Sequence, residues 1–327
     1  MRRYFTPYTV AGHPFRLEYR LVSYRRAPVP LLPFKGMAKD VRNRYSPVRV
    51  EKDVTHLRGK TPGQLIYRGD IQPYLWLYRN DANQTFGFSM TQREPDCLLS
   101  VSPSYREGEL HICAQDTSGQ IAFALNSSLM LLYALNTASK GTLLVHAATV
   151  EFEGKGYLFL GRSGTGKSTH ARLWLEHVKG SSLLNDDSPI LRVEDNGSVF
   201  VYGSPWSGKT ACYKKCRAEL GGVVRLSQAP LNRIRAMTPS RPTHPCFLLA
   251  RAYRWERKMA TGYSNSIERI IGRCGSYHLE CLPDKAAARL CDSNGKGYIM
   301  IKKKSLPYCW QKKYIISSWK AGLWNKS

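Results

Sequence analysis

The sequence predicts an α/β fold in which a strand–loop–helix unit follows a small β-rich domain. Three observations carry that expectation. The apolar run Gly156-Tyr157-Leu158-Phe159-Leu160 passes through Gly161-Arg162-Ser163-Gly164-Thr165-Gly166-Lys167-Ser168 into the helical pattern of Thr169 to Val178. A second short apolar strand, Leu183-Leu184, ends on Asn185-Asp186-Asp187 and the turn residues Ser188-Pro189. From residue 1 to about residue 115, short strand-like segments recur between Gly, Pro, Asn and Asp.

The first unit has the form G-x-x-x-x-G-K-[ST] in the strand-to-helix context that such a loop needs. The glycines let the backbone turn tightly enough for successive N–H groups to wrap a phosphate, and the helix that follows aims its positive end at the same oxygens. Lys167 is then expected to reach the β and γ phosphates, and the Ser168 hydroxyl to coordinate magnesium. The expected ATP-binding residues are Gly161, Arg162, Ser163, Gly164, Thr165, Gly166, Lys167, Ser168 and Thr169.

The adjacent carboxylates of Asp186 and Asp187 cannot both point into a core, so at least one faces a cleft or solvent. Beside a bound nucleotide, one could hold magnesium and the other accept a proton from an attacking hydroxyl. An ordinary Asx turn ending the strand is the alternative for these residues.

The order of these segments, with His146-Ala147-Ala148-Thr149-Val150 ahead of them, resembles the C-terminal catalytic domain of HPr kinase/phosphorylase. It is more closely similar to the bacterial HPr-kinase-like proteins that share that phosphoenolpyruvate-carboxykinase-type nucleotide fold. Tyr202 to Lys209, Leu226 to Ile234 and His278 to Asp284 extend the resemblance, which covers approximately residues 140–291. It implies a P-loop domain with a mixed central sheet and a serine-kinase-like activity. His146, Lys167 and Asp187 match the catalytic positions, and Ser168 matches a magnesium ligand, with Asp186 as the expected second one. The chain has no counterpart of the family's Glu-Ile-Arg-Gly segment or of its later arginine-bearing loop, so HPr itself is not implied as the acceptor.

The expected organisation is a β-rich domain over 1–118, a bridging helix over 119–139, the nucleotide domain over 140–291 and a basic extension over 292–327. The expected activity is ATP- and magnesium-dependent phosphorylation of a hydroxyl, that of serine first, on a protein or peptide. Two alternatives stay open: a nucleotide-binding partner protein that switches without catalysing, and a kinase of a small hydroxylated metabolite. Homo-oligomer formation is also open.

Charge narrows the partners. The chain carries a net charge of +25, yet residues 146–200 hold six basic and seven acidic side chains. The excess lies at the ends, with fourteen against four over 1–60 and seventeen against five over 241–327. No helix-turn-helix, zinc-finger or RNP pattern accompanies it, so a solvated basic surface is expected rather than nucleic-acid binding. Met1 to Pro7 lead into polar sequence without an apolar h-region, and the nine cysteines are scattered, so a cytoplasmic protein with reduced thiols is expected. Cys212-x-x-x-Cys216 lacks a second pair at zinc-site spacing. The run Ile121 to Leu135 is too short for a bilayer and is expected to be a buried helix.

Among the remaining features, Trp76, Phe86 and Phe88 are expected in the core rather than on a base-stacking surface. Gly203-Ser204-Pro205-Trp206-Ser207-Gly208-Lys209-Thr210 also fits the phosphate-loop pattern. Pro205 removes an N–H and Trp206 is bulky, so it is expected to line the first site, with Lys209 as a phosphate contact. Thr238 to Cys246 is too proline-rich for a helix, and the lysine-rich tail from Lys302 matches no pattern.

Overall fold

The alternating segments of the N-terminal part lie side by side in one mixed sheet. In the computed structural model the described residues are 4–19, 46–52, 63–69, 74–80, 83–90, 93–112, 118–208, 210–237, 264–270 and 272–293. Strands β1 (Tyr4–Val10), β2 (His13–Tyr19), β3 (Ser46–Lys52), β4 (Gln64–Arg68), β5 (Tyr74–Arg79), β6 (Gln84–Ser89), β7 (Cys97–Val101) and β8 (Gly108–Ile112) take the spatial order β1-β2-β3-β8-β7-β6-β5-β4. The pairs β2–β3 and β3–β8 are parallel and the hairpins antiparallel. Period-two burial follows from the pleat: Cys97, Leu99 and Val101 are buried while Leu98 and Ser100 are only partly covered. Trp76, Phe86 and Phe88 are buried.

Helix α1 (Ser118–Thr137) is rich in apolar residues, most of its described side chains being buried or partly buried while Ala122 and Asn126 are exposed. Its Leu125, Leu129, Leu132, Tyr133 and Leu135 join one continuous core with Phe86, Leu99 and Leu110 of the first sheet and with Leu143, Leu158 and Val201 beyond it. Tyr133 marks the junction. Its hydroxyl donates to Val10 O at 3.2 Å, and its ring centroid lies 5.3 Å from that of Trp206.

The second sheet comprises, among the described residues, β9 (Thr142–Leu144), β10 (Ala147–Phe152), β11 (Lys155–Leu160), β12 (Ser182–Asn185), β13 (Ile190–Val193), β14 (Val199–Tyr202), β15 (Arg217–Gln228), β16 (Arg233–Ala236) and β17 (Gly275–Cys281). Their order is β12-β10-β11-β15-β14-β13-β9, with β17 also on β15 and β16 on β17. The sheet is mixed: β11, β15 and β17 run parallel, and the other neighbours are antiparallel. One face is covered by α2 (Lys167–His177) and α3 (Lys285–Ser293), whose Ala171, Trp174 and Ala288 pack with Phe159, Val224, Leu226 and Leu279. The other face supplies Leu158, Leu160 and Val223 to the core shared with α1.

The 12-residue strand β15 runs through Gly221-Gly222. A Cβ at Gly221 would stand 2.8 Å from the Tyr157 ring, so the missing side chain admits a close neighbour instead of a bend. Among the described residues, no helix is long and apolar enough to cross a membrane. Lys209, the segment 238–263 and the extension beyond residue 293 lie outside the described residues.

A partly buried and a buried histidine tie stability to pH. His13 joins the two sheets through a 2.8 Å hydrogen bond between its Nε2 and Thr142 Oγ1, and His170 of α2 stands edge-on to the Phe159 ring. Burial, joined by the charges of Arg192 and Lys140, pushes His13 down from 6.5 to about 4, and burial alone pushes His170 down to about 4. Both are therefore neutral when folded, whereas the unfolded chain takes up their protons near pH 6.5. Each stabilising contribution is complete above pH 6.5, falls as the pH drops toward 4, and changes no further below that. The expected loss is about 3 kcal/mol per histidine. Urea unfolding midpoints at neutral pH and at pH 4 check this, and His170→Phe should flatten part of the dependence.

Candidate functional site

The loop between β11 and α2 gets its shape from its own sequence. Gly164 and Gly166 adopt φ of 82° and 92°, which L side chains rarely tolerate. Between them the Thr165 hydroxyl donates to Arg162 O at 2.8 Å and closes the turn. Gly166 begins α2 without a side-chain cap, so the first N–H groups of the helix, those of Lys167, Ser168 and Thr169, have no capping side chain. Arg162, Ser163, Gly164 and Ser168 are exposed, and Gly161, Thr165, Gly166 and Thr169 are partly so. Lys167 is 8% exposed and folds back, its Nζ donating to Gly161 O at 3.2 Å and to Arg162 O at 3.3 Å.

The acidic pair lies at the end of β12, where the pairing with β10 shifts register. Thr149 faces Asn185 while Val150 faces Leu183, so Leu184 is the extra residue. Such bulges re-aim the side chains that follow them. The chain then crosses back, and Ala147 N–H donates to Asp187 O at 2.9 Å. This brings His146, one residue before β10, beside Asp187, with Nδ1 to Oδ1 at 3.2 Å. Both are open to solvent, at 51% and 37% side-chain exposure. Asp186 is buried, and its Oδ2 accepts from Thr210 N at 3.1 Å.

Asn185, unassigned by motif reading, organises the corner. It is fully buried, and its Oδ1 accepts from Asp187 N at 3.0 Å and Ser188 N at 2.8 Å. Its Nδ2 donates to Trp206 O at 3.1 Å and Ser204 Oγ at 3.3 Å. Ser204 in turn donates to Ser188 O at 2.6 Å. Gly203 to Gly208 thus wall this corner, together with Thr210: a Cβ on Gly208 would lie 3.2 Å from Asp187 Cβ. The Asx-turn hydrogen bonds seen here and the acidic role are therefore not alternatives. Asn185 makes the turn, and the turn presents the acids.

Electrostatics follow from these neighbours. Burial alone would raise the Asp187 carboxyl, but hydrogen bonds from His146 and Ser188, with the charges of His146 and Lys167, hold it below its ordinary value. Burial lowers the Lys167 ammonium, opposed by the charges of Asp187 and Asp186. His146, Lys167, Asp186 and Asp187 therefore share one corner at the loop. The described residues show no direct contact between Ser168 and Asp186, and none of their His, Cys, Asp and Glu side chains form a ready-made metal cluster. Cys212, which donates to Leu184 O at 3.4 Å, and Cys216 are free thiols.

No protein-family model matches this chain, and no curated protein matches it. A solved structure of the HPr(Ser) kinase/phosphatase from Coxiella burnetii is similar over 47% of this chain and 93% of its own, at 13% identity and a TM-score of 0.27. That likeness is weak and concerns the backbone trace alone.

The hydrogen bonds of Asn185 give a direct test of the corner. Asn185→Ala leaves two N–H groups, a carbonyl and a hydroxyl to find new partners inside the protein. It should cost about 3 kcal/mol of stability, read from urea unfolding against the wild type. A loss under about 1 kcal/mol would mean that the corner is held some other way. The one sequence signal that could have found this residue is its place immediately before an acidic pair at a strand end.

Proposed function

We propose that the chain is an ATP- and magnesium-dependent kinase that phosphorylates a hydroxyl, that of serine first, on a protein or peptide. The observation that carries this is the single corner in which an ionised Asp187, held by His146, stands beside Lys167 at the glycine-rich loop. Bound magnesium-ATP would supply the transferable phosphoryl group and neutralise charge on its oxygens. The residues fit such a ligand. The loop is exposed, α2 begins without a cap, and Lys167 presents an ammonium whose present acceptors are loop carbonyls that phosphate oxygens can replace. Ser168 and Asp186 offer two hard oxygen donors, the number that suits a magnesium ion sharing its shell with phosphates and water rather than a resident one.

In this mechanism Asp187 takes the proton of the acceptor hydroxyl. Its depressed pKa keeps it ionised at neutral pH, and His146 at Oδ1 with the Ser188 hydroxyl at Oδ2 fixes the orientation of the carboxylate. Lys167 and the loop N–H groups stabilise negative charge on the transferred group. Asp186, held by Thr210 N–H, would bind metal from its buried position. The test is transfer of label from γ-labelled ATP to a peptide array by the full chain. Acid-stable label on hydroxyl residues supports the proposal; label released only as inorganic phosphate, or found in the low-mass fraction with a metabolite present, overturns it.

A further inference from the structure

The carboxyl ends of the parallel strands β11, β15 and β17 lie along one edge of the second sheet. Arg225 of β15 pairs with Leu160 of β11, β15 runs three residues further, and its last residue, Gln228, is level with Cys281, the last of β17. β10 runs the other way and begins at this edge, with Ala147 opposite Leu160. The glycine-rich loop therefore has two flanks. On one stand His146, at the start of β10, and Asp186 and Asp187, just past the end of β12. On the other, β15 runs close beside the loop. A Cβ on Gly161 would lie 3.3 Å from Leu226 O, and Gln228 Nε2 donates to Gly164 O at 3.3 Å.

The second flank is uncharged and clamped. From Leu226 to Asn232 and from Cys281 to Pro283 no residue carries a charge, in a chain of net charge +25. Ala229 N–H donates to Cys281 O at 3.1 Å. Asn232 joins the turns after β15 and β17: its Oδ1 accepts from Leu282 N at 2.8 Å, and its Nδ2 donates to Asp284 Oδ1 at 3.0 Å. That Asp284 oxygen also accepts from Ala287 N at 2.8 Å, which fastens the clamp to the first turn of α3. Pro230 precedes Leu231 and Pro283 follows Leu282, and their fixed φ stiffens both turns. Leu231 is nonetheless 75% exposed and Leu282 40%. A single exposed leucine needs no explanation, but two on turns clamped together beside a binding loop mark a contact site.

We propose that Gln228, Leu231 and Leu282 form the nucleobase side of the nucleotide site, and that the base they take is adenine. The proposal rests on the loop being an ATP site and adds the residues that select the base. The order of elements along the edge carries it. Transfer needs the γ-phosphate on the side of Asp187, and the loop N–H groups hold the phosphates at the end of β11. The nucleoside then extends to the opposite flank, toward β15 and toward β17, which lies two strand spacings, about 10 Å, from β11. An uncharged aromatic base suits apolar turns without charges, whereas an acidic acceptor would call for cations there. Gln228 supplies the polar contact. With Nε2 on Gly164 O, its Oε1 has no partner among the described residues and can only accept. It suits the amino group of adenine and not the carbonyl that guanine carries at the same place.

The test uses the full chain and separates base from phosphates. Calorimetric titration with magnesium and ATP, GTP or inorganic tripolyphosphate should give ATP as the tightest, by about tenfold or more over tripolyphosphate. Leu231→Ser with Leu282→Ser should weaken ATP by about tenfold and spare tripolyphosphate. Gln228→Ala should narrow the preference for ATP over GTP. A second measurement needs no variant. Photolysis of 8-azido-ATP on the wild type should label the tryptic peptides Leu226 to Arg233 and Cys274 to Lys285, and excess ATP should prevent it. Label confined to other peptides, ATP no tighter than tripolyphosphate, or variants that bind ATP as the wild type does would overturn the proposal. Failure of both ATP and tripolyphosphate to bind would strike the nucleotide reading, and the base site with it. Base-dependent binding at these residues without phosphoryl transfer would strike the kinase reading alone.

Discussion

Lys167→Ala is expected to abolish the stabilisation of the chain by magnesium-ATP. A ligand present at about a hundred times its Kd adds about 2.7 kcal/mol to the folded state, which for a chain of this size raises the melting temperature by about 5 °C. In the proposed reading Lys167 reaches the β and γ phosphates, and its ammonium is already largely buried and donates to the loop. Removing it would delete a charge-assisted contact to the phosphates and one of the cations that offset Asp186 and Asp187. Thermal melts of both proteins, with and without magnesium-ATP, decide the matter. Equal shifts in the two would remove Lys167 from the site, and a wild type that melts cooperatively without any shift would remove the nucleotide.

Asp187→Asn is expected to separate binding from chemistry. The amide keeps the size of the carboxylate and can still accept from Ser188, whose hydroxyl lies 2.7 Å from Asp187 Oδ2. It cannot take a proton, so transfer should fall by about a thousandfold while the thermal shift with magnesium-ATP persists. Removing one negative charge from the corner should, if anything, favour the anionic nucleotide. Transfer within about tenfold of wild type would end the role of Asp187 as base. Loss of the thermal shift along with transfer would make it a binding residue. His146→Ala provides the companion measurement, with a smaller expected effect if His146 only orients Asp187 through the contact at 3.2 Å.

The parts of this protein legible in its sequence are those governed by neighbours along the chain. Gly164 and Gly166 foretell a loop with positive φ, and the change of period from strand to helix around Gly161–Ser168 foretells what flanks it, because both depend on local sterics. The apolar run that becomes α1 and the buried aromatics of β5 and β6 were readable for the same reason. Adjacent aspartates at a strand end announce that one must be solvated, and the structure leaves Asp187 open while burying Asp186.

Strand order and register decided the rest. His146 meets Asp187 only because β12 pairs with β10 through a bulge, an arrangement between residues some forty positions apart that no local pattern specifies. Gly203 to Thr210 matches the phosphate-loop pattern as a string, but Trp206 is tied to Asn185 and Thr210 to Asp186, beside the acidic corner. Gly221 sits mid-strand because the Tyr157 ring fills the space its side chain would have taken. The clamp of Asn232 on Leu282 and Asp284 exists only once β15, β17 and β16 are neighbours. Propensity and backbone sterics act over a few residues and are written in the sequence. Which strands meet, and at what offset, is settled by the burial of a shared core, and that was decided only by the tertiary structure.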